Sequence, residues 1–460
     1  MSVKAEQKAR NIGEKKEEGK MRVILFPVPF EGHTNPMLHL AQILYSKAFS
    51  ITIIHIITHL TSLHPSNHPN FTFRSIEPDH AETCSVGGVI ELITLLNRQL
   101  IEPLRKCVAE LVGEVDNEIG CLITDAHWHF SQDVANEFGI RRIVLRTANI
   151  SAFLGMLALP ALRPFYTLPS SETNLEDPLP NLPHLRFKDL PTMNNESHHF
   201  IDQLLTSIFI QTKSSSAIIF NSFHDLEPDS LLKCHHLFSP IPIFPLGPFH
   251  KHLPLTPQPH HPSFSWLNSK PPRSVLYVSF GTLATLQPHE FLEIAWGLAN
   301  STHPFLWVVR PAMVSGSEWL ERLPEGFEEM LGERGLIVKW APQREVLAHP
   351  AIGGFWTHCG WNSTIESLCE GVPMLCYPCF GDQKSNARYV THVWRIGVML
   401  GDKLERGVIE KMIMKLMAER EDGEIMKRVM DLKEKADTCI KEGGSSFNSL
   451  KNLVNFILQK

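Results

Sequence analysis

Short apolar segments alternate with segments of helical periodicity along most of the chain. Near the start, apolar residues at 22–27 and 50–57 indicate buried strands, and residues 37–47 between them repeat apolar side chains at helical spacing. Residues 30–36, which contain Gly, Asn and Pro, are predicted to form a turn. Further strands are predicted at 121–125, 140–146 and 217–223. This alternation predicts an α/β fold with a parallel, doubly wound sheet.

A segment rich in Pro and His interrupts this rhythm, and the alternation then starts again. Residues 246–265 contain much of that segment and are predicted to link two domains. Beyond it, apolar segments predict strands at 274–280, 304–310, 336–340, 352–358, 372–377 and 396–400. We therefore expect two Rossmann-like domains facing each other across a cleft, because ligands of such sheets bind beyond the carboxyl ends of the strands.

The chain ends and one internal segment fall outside this alternation. Residues 1–20 are charged and lack an apolar centre, which predicts a disordered tail and no signal peptide. Residues 160–200 are rich in Pro and polar side chains and are predicted to form an irregular surface segment. The two domains are predicted to span 21–245 and 266–440, and residues 441–460 are predicted to be helical.

The composition argues against several classes of function. The 43 basic residues are balanced by 49 acidic ones without a basic patch, so a nucleic-acid partner is not expected. No apolar run approaches the roughly eighteen residues of a membrane span. The nine scattered cysteines indicate reduced thiols in a cytoplasmic protein. Cys376 and Cys379 form one C-x-x-C pair without a second, so a zinc site is not expected.

The segment 340–383 contains the most informative local pattern. A predicted strand at 352–358 is followed by Gly360 and a helical pattern that Asn362 or Ser363 can cap. The N-terminus of such a helix attracts an anion such as a pyrophosphate, because its backbone N–H groups are free. Glu366, about one turn into that helix, can accept hydrogen bonds from ribose hydroxyls. From these residues alone, an ordinary strand–helix junction is the favoured interpretation.

A second candidate site comes from the first half of the chain. His33 follows the first predicted strand and Asp125 ends another, so both belong at the carboxyl edge of the same sheet. An imidazole oriented by a carboxylate is suited to act as a general base. From these residues alone, an unrelated loop histidine and strand-end aspartate are the favoured interpretation.

The segment from Trp340 to Gln383, WAPQREVLAHPAIGGFWTHCGWNSTIESLCEGVPMLCYPCFGDQ, resembles without a gap the signature box of plant family-one UDP-sugar glycosyltransferases. The resemblance extends over nearly the whole chain from residue 21. It includes FPVPFEGHTNPM near the start, LITD at 122–125, FNSFHDLE at 220–227, WLNSKPPRSVLYVSFGT at 266–282 and FLWVVRP at 305–311.

The resemblance implies a GT-B fold and a specific reaction. Glucose would pass from UDP-glucose, with inversion, to a hydroxyl of a small hydrophobic plant metabolite (a terpenoid, a flavonoid or another phenolic) and give a β-glucoside. It implies that His33 is the base and that Asp125 orients it. The chain has no D-x-D sequence, so we expect no metal and no cofactor besides the co-substrate UDP-glucose. The final helix is expected to return to the first domain, and the protein is expected to be a monomer.

The resemblance also assigns the donor contacts. Trp340 would stack on the uracil, with Ala341 and Gln343 beside it, and Glu366 would bind the ribose. The phosphate contacts would be Thr282, His358, Gly360, Asn362 and Ser363, and the sugar contacts Trp361, Asp382 and Gln383. A terminal glutamine at Gln383 favours glucose over galactose.

The acceptor side of the site is defined only by ranges. The pocket is expected to be lined by 86–100, 127–130, 147–156 and 200–208, with Phe380 and Gly381 from the second domain. These segments are mostly apolar, which suits a hydrophobic acceptor. Two other functions remain open: a sugar-nucleotide binding protein without catalysis, and a Ser-His-Asp hydrolase. The latter is disfavoured because the chain lacks a G-x-S-x-G elbow.

Overall fold

The computed structural model describes residues 20–57, 63–79, 88–114, 118–166, 175–191, 198–255, 261–401, 403–418 and 423–459. The predicted disordered tail therefore lies outside the described residues, except for its last position.

The first half of the chain builds one parallel sheet and a small hairpin. Seven strands pair in the order β3-β2-β1-β4-β5-β8-β9, and β6 pairs antiparallel with β7. The strands are β1 (Arg22–Phe26), β2 (Ser50–Ile56), β3 (Thr72–Ile76), β4 (Ile119–Asp125), β5 (Arg142–Arg146), β6 (Pro178–Leu179), β7 (Leu182–Arg186), β8 (Ala217–Phe220) and β9 (Ile243–Pro245).

The second half builds another parallel sheet of the same kind. Six strands pair in the order β12-β11-β10-β13-β14-β15. They are β10 (Val275–Ser279), β11 (Phe305–Val308), β12 (Gly335–Val338), β13 (Ile352–Thr357), β14 (Met374–Cys376) and β15 (Gly397–Met399). The predicted fold of two doubly wound parallel sheets is confirmed. Most strands are shorter than their apolar segments, because the flanking residues leave the sheet for the loops.

Helices cover both faces of each sheet, so the central strands are buried on both sides. In the first half they are α1 (Glu31–Tyr45), α2 (Val89–Gln99), α3 (Ile101–Gly113), α4 (Ser131–Glu137), α5 (Ile150–Tyr166), α6 (His198–Lys213) and α7 (Pro228–Phe238). In the second they are α8 (Pro262–Asn268), α9 (Pro288–Asn300), α10 (Phe327–Leu331), α11 (Gln343–Leu347), α12 (Trp361–Glu370), α13 (Gln383–Arg388), α14 (Arg406–Ala418), α15 (Glu424–Cys439) and α16 (Ser445–Leu458).

Two local predictions about the first half are wrong. Residues 30–36 do not form a turn, because α1 already begins at Glu31 and contains Pro36. The segment 160–200 is more regular than expected. α5 continues into it as far as Tyr166, and the hairpin of β6 and β7 follows before α6. Prolines did not prevent α1 or α5 from forming. α1 contains Pro36, and α5 contains Pro160 and Pro164.

The strand order creates a crevice at the same place in each sheet. The chain direction across the sheet reverses between β1 and β4 in the first half and between β10 and β13 in the second. Ligands of doubly wound sheets bind at the carboxyl ends of strands at such a reversal, because the two adjacent loops diverge there. The loops after β1, β4, β10 and β13 carry most of the predicted catalytic and phosphate-binding residues.

Side chains near the crevices tie the two halves together. The indole N–H of Trp361, at the start of α12, donates to the carbonyl of Asn221 at 2.9 Å. The indole of Trp394 donates to the carbonyl of Leu226 at 3.1 Å. Both acceptor carbonyls follow β8, so these bonds fix the second sheet against the carboxyl edge of the first.

The last helix, α16, packs against the first sheet although it follows the second in sequence. Leu453 and Ile457 of α16 join the apolar cluster of β1 and β2. Arg141 donates to the carbonyls of Phe456 and Ile457, each at 2.7 Å. No helix in the described ranges has both the length and the apolar character needed to span a membrane.

Candidate active site

His33 lies in the first turn of α1, directly after β1. Its backbone N–H donates to the carbonyl of Phe30, the residue that precedes the helix. Glu31 favours this helix start, because a carboxylate in the first turn complements the helix dipole. His33 is therefore held by a helix, where the sequence predicted a turn, and its side chain keeps 23% of its surface exposed.

Asp125 is the last residue of β4, the neighbour of β1 in the sheet. Its carboxylate oxygen Oδ2 lies 2.7 Å from Nδ1 of His33. Burial raises the pKa of Asp125, but charge and hydrogen bonds from His33 and His127 outweigh this and hold it well below its usual value. An ionised carboxylate only accepts, so Nδ1 of His33 carries the proton and Nε2 is left with a lone pair. No partner of Nε2 is found within the described residues.

A second imidazole is hydrogen-bonded to the other oxygen of the same carboxylate. Nδ1 of His127 lies 2.7 Å from Oδ1 of Asp125, and the His127 backbone N–H donates to that oxygen at 2.9 Å. Burial lowers the pKa of His127, so its ring is neutral at pH 7. From the sequence, His127 was predicted only as part of an acceptor-lining range. Its link to Asp125 could have been suspected from the two-residue spacing after a strand end.

The three side chains also form a set of potential metal ligands. One ligand atom from each of His33, Asp125 and His127 lies within 4.8 Å of the others, and this is the one such group among the residues that the structure describes. Both imidazole-to-carboxylate distances are those of charge-assisted hydrogen bonds. The geometry therefore already accounts for each Nδ1 as a donor to Asp125.

The predicted phosphate cradle lies at the start of α12. The residue before the helix is Gly360, and neither Asn362 nor Ser363 caps it, so the predicted side-chain cap is wrong. Asn362 instead donates to the carbonyl of Gly32 at 3.0 Å, and Ser363 accepts from Gln343 at 3.0 Å. Without a side-chain cap, the first backbone N–H groups of α12 remain available to an anion.

His358 lies beside this helix start, between two glycines. A Cβ atom at Gly281 would come within 2.7 Å of the His358 ring, and one at Gly360 within 2.5 Å. Gly281 also has φ of 69°, which favours glycine. Desolvation lowers the pKa of His358 to about 4, so the imidazole is neutral at pH 7, and its buried Nδ1 has no hydrogen-bond partner within the described residues. Thr282 follows Gly281 and is exposed.

Gln343 and Glu366 form a bonded pair near the same helix. The Gln343 amide donates to Glu366 Oε2 at 2.8 Å. Burial raises the pKa of Glu366 to about 7, although the Gln343 hydrogen bond opposes the shift. This carboxyl group is therefore a mixture of protonated and ionised forms at neutral pH.

Trp340 precedes this pair and is 60% exposed. Its indole ring contacts the imidazole ring of His261 edge-on, with the two ring centroids 5.5 Å apart. An exposed indole offers a broad face for stacking. Ala341, next in the chain, is buried.

The three predicted sugar contacts differ in which of their polar groups remain available to a ligand. Trp361 is 4% exposed and its indole N–H is engaged with Asn221, so a ligand would meet mainly its backbone N–H. The Gln383 side-chain oxygen accepts the backbone N–H groups of Cys379 and Phe380 at 2.8 and 2.9 Å. The amide NH₂ of Gln383 is thus the group turned to other partners. Asp382 accepts from Asn386 at 3.1 Å, and burial raises the Asp382 pKa.

A cavity of about 640 Å³ adjoins the His127 loop in the first half. Asn97, His129 and Leu204 lie on its wall, so three of the predicted acceptor-lining ranges contribute to one space. The Asn97 amide donates to the carbonyl of His127 at 2.9 Å, which joins this wall to the catalytic pair. Phe380 is 44% exposed at the other side of the site. Part of the range 86–100 lies outside the described residues.

A buried arginine whose charge acts on His127 and Asp382 was not predicted from the sequence. Arg146 is the last residue of β5 and is 3% exposed. The sequence signal was a charged residue at the carboxyl end of an apolar strand.

Comparisons with relatives and solved structures cover nearly the whole chain. The family model described as "UDP-glucoronosyl and UDP-glucosyl transferase" matches residues 210–431. UDP-glycosyltransferase 76B1 of Arabidopsis thaliana is 47% identical over 445 residues, which cover 96% of this chain and 99% of the relative. A UDP-glucosyltransferase of Polygonum tinctorium capable of glucosylating indoxyl superposes with a TM-score of 0.84 at 29% identity, covering 96% and 99% of the two chains. Medicago truncatula UGT71G1 complexed with UDP-glucose gives a TM-score of 0.80 at 28% identity, with 96% and 100% covered.

Proposed function

The chain belongs to the plant family of UDP-glycosyltransferases with the GT-B fold, and on this basis we propose that it transfers glucose from UDP-glucose, with inversion, to a hydroxyl of a small hydrophobic plant metabolite. One observation carries the proposal: His33, bonded to Asp125, lies one residue from the Gly32 carbonyl that Asn362 of the phosphate cradle contacts. The candidate base and the candidate leaving-group site therefore adjoin.

The proposed reaction uses His33 as the general base. Nδ1–H of His33 donates to Asp125, and Nε2 accepts the proton of the acceptor hydroxyl. The oxygen attacks the anomeric carbon from the face opposite UDP, and the bond from that carbon to the UDP oxygen breaks. The configuration inverts, so the α-linked donor gives a β-glucoside. A positioned base of this kind contributes about two to four orders of magnitude in rate.

The leaving UDP is stabilised by fixed dipoles in this proposal. The backbone N–H groups at Gly360–Ser363 are directed by the helix dipole of α12, and neutral His358 and the Thr282 hydroxyl add hydrogen bonds. The Asn362 amide would turn part of its donor capacity to the phosphates. The chain has no D-x-D sequence, so we propose a metal-independent reaction without a further cofactor.

The remaining contacts to UDP-glucose are proposed from the side-chain and backbone groups that are still available to a ligand. The exposed face of Trp340 would stack on the uracil beside Ala341 and Gln343, and Glu366 would accept from the ribose hydroxyls. Asp382, the Gln383 amide and the Trp361 backbone N–H would bind the sugar. The UDP-glucose bound to the Medicago relative supports a glucose donor.

The acceptor and the cellular setting are also part of the proposal. The lining ranges include Phe130 and Leu204, which suit an apolar acceptor such as a terpenoid, a flavonoid or another phenolic. All cysteines in the described part of the chain are free thiols, which supports a cytoplasmic enzyme. We propose that it acts as a monomer, as the resemblance to the family implies.

A transfer assay with product analysis tests this function. The protein is incubated with UDP-glucose and a panel of phenolic and terpenoid alcohols, and products are identified by mass spectrometry. Proton NMR of the anomeric position then gives the configuration. We expect β-glucosides. An α-glucoside would contradict inversion, and tight UDP binding without transfer to any acceptor would indicate a sugar-nucleotide binding protein instead.

A further inference from the structure

Arg310 belongs to the motif FLWVVRP at 305–311, to which the proposed reaction gives no role. It lies just beyond the carboxyl end of β11, which pairs parallel with β10. Because the two strands run in the same direction, Arg310 lies at the same edge of the second sheet as the loop after β10. That loop carries Thr282, one of the proposed phosphate contacts.

The Arg310 guanidinium holds this loop on both sides of Thr282. Its Nε donates to the carbonyl of Gly281 at 3.3 Å, and its Nη2 donates to the carbonyl of Ala284. Gly281 in turn lies against His358, since a Cβ atom there would come within 2.7 Å of the imidazole ring. The Gly281 backbone therefore connects the guanidinium to a second proposed phosphate contact.

The charge of Arg310 is not balanced by an acidic side chain within the described residues. Both of its hydrogen bonds go to neutral carbonyls. Burial lowers the pKa of Arg310, and no charged neighbour contributes to this shift. A guanidinium nevertheless stays protonated at neutral pH. Its positive charge is therefore available to an anion at this edge of the sheet.

The groups proposed to contact the phosphates are themselves neutral. They are backbone N–H groups at the start of α12, the Thr282 hydroxyl, the Asn362 amide and the imidazole of His358, which is uncharged at pH 7. Fixed dipoles of this kind stabilise an anion, and a fixed charge close behind them adds to the effect where water is partly excluded. Arg310 lies where such a charge would act.

We propose that Arg310 is a positioning residue for the leaving group, which holds the Thr282 loop at the diphosphate and stabilises the expelled UDP by its charge. This inference rests on the proposed function and adds a residue to its donor site. When the bond from the anomeric carbon to the UDP oxygen breaks, the electron pair stays on that oxygen and UDP gains one negative charge. A fixed cation therefore favours UDP over UDP-glucose.

The test measures the affinities of uridine, UDP-glucose and UDP by calorimetric titration at about pH 8, where UDP carries one negative charge more than UDP-glucose. Arg310→Gln removes the charge and keeps an amide that can donate to the loop. We expect the loss of affinity to be at least about tenfold for UDP, smaller for UDP-glucose and absent for uridine. The kcat for transfer should also fall, because the charge develops as UDP leaves.

Two further variants separate charge from structure. Arg310→Lys keeps the charge and should retain most of the affinity for UDP. Arg334→Met is the matched control, because Arg334 is also partly buried and donates to a carbonyl, that of Ala299 at 3.2 Å. Arg334 precedes β12, so it lies at the opposite edge of the sheet, and its loss should leave all three affinities unchanged. Denaturant unfolding checks that each variant is folded, and Arg310→Met replaces Arg310→Gln if the latter is not.

Three results would overturn the inference. They are unchanged affinities in the uncharged variant, an equal loss for uridine, UDP-glucose and UDP, and an Arg310→Lys variant as impaired as the uncharged one. The titrations need no acceptor, so they are independent of transfer. If the graded loss is observed but no acceptor is glucosylated, the proposed function fails and the role of Arg310 at the diphosphate stands. If β-glucosides form and the uncharged variant shows no graded loss, the inference fails alone.

Discussion

At the residue scale, the site is organised around one carboxylate that orients two imidazoles. Asp125 accepts from Nδ1 of His33 and of His127, so the carboxylate is held from both sides. Each ring is thereby fixed in the tautomer with an unprotonated Nε2, which is the form a base requires. His33 and Asp125 could be predicted because both follow parallel strands. His127 could be suspected from its position two residues after Asp125, but its hydrogen bond to the second carboxylate oxygen is visible only in the structure.

Glu366 is expected to make the affinity for UDP-glucose depend on pH. Its pKa is raised to about 7 by burial, so it is protonated below neutrality in the free protein. Ribose hydroxyls that donate to both carboxylate oxygens favour the ionised form, and UDP-glucose binding should therefore release protons. The affinity for UDP-glucose should be about tenfold weaker at about pH 6 than at about pH 8, as linkage to this one group requires.

Titration calorimetry in buffers of different ionisation enthalpy checks this prediction. UDP-glucose is the ligand of choice because its diphosphate does not titrate in this range. Glu366→Gln should remove both the proton release and the pH dependence. A pH dependence that persists in Glu366→Gln would assign it to another group.

At the scale of elements, the start of α1 connects the base to the phosphate cradle. Pro36 has no N–H, so the carbonyl of Gly32 lacks the helical donor that would normally come from that position. The Asn362 side chain of α12 donates to this carbonyl across 330 residues of sequence. Gly, Asn and Pro in the segment 30–36 predicted a turn, but the first turns of a helix tolerate them because few of their N–H groups need partners. A contact of this separation cannot be inferred from local pattern.

This contact predicts non-additive effects of two substitutions. Asn362→Ala should lower kcat/KM, because α1 and its His33 lose one tie to the donor side. Pro36→Ala supplies an N–H that can bond to Gly32 within the helix, so Asn362→Ala should cost less in that background. A double-mutant cycle on kcat/KM should give a coupling energy above about 0.5 kcal/mol. Additive losses in kcat/KM would mean that Asn362 acts only through its contact with UDP-glucose.

At the scale of the whole molecule, two reversals of strand order bring the chemistry together. The first sheet presents the base and the second presents the phosphate cradle, and indole hydrogen bonds to Asn221 and Leu226 hold the two edges in register. The two-sheet fold could be predicted because strand and helix periods alternate so regularly. Arg146 could not be assigned, since the unbonded state of its buried Nε is visible only once the described side chains are in place.

The return of α16 to the first sheet predicts a stability effect without a catalytic one. Arg141 donates to two carbonyls in the last turn of α16, where the carbonyls of a helix generally lack a helical donor. Arg141→Met should lower the free energy of unfolding by about 1–3 kcal/mol, because these partly buried acceptors lose their partner. Denaturant unfolding measures the loss, and kcat per folded molecule should not change. A large fall in kcat at unchanged stability would contradict a purely structural role.

The most direct test of the central claim is the turnover of His33→Ala with UDP-glucose and a hydroxylated acceptor that the wild-type protein glucosylates. UDP affinity is measured on the same preparation. The general-base role predicts that kcat falls by about two to four orders of magnitude while the affinity for UDP stays within error of the wild-type value. Turnover at the wild-type rate would contradict the claim that His33 activates the acceptor hydroxyl.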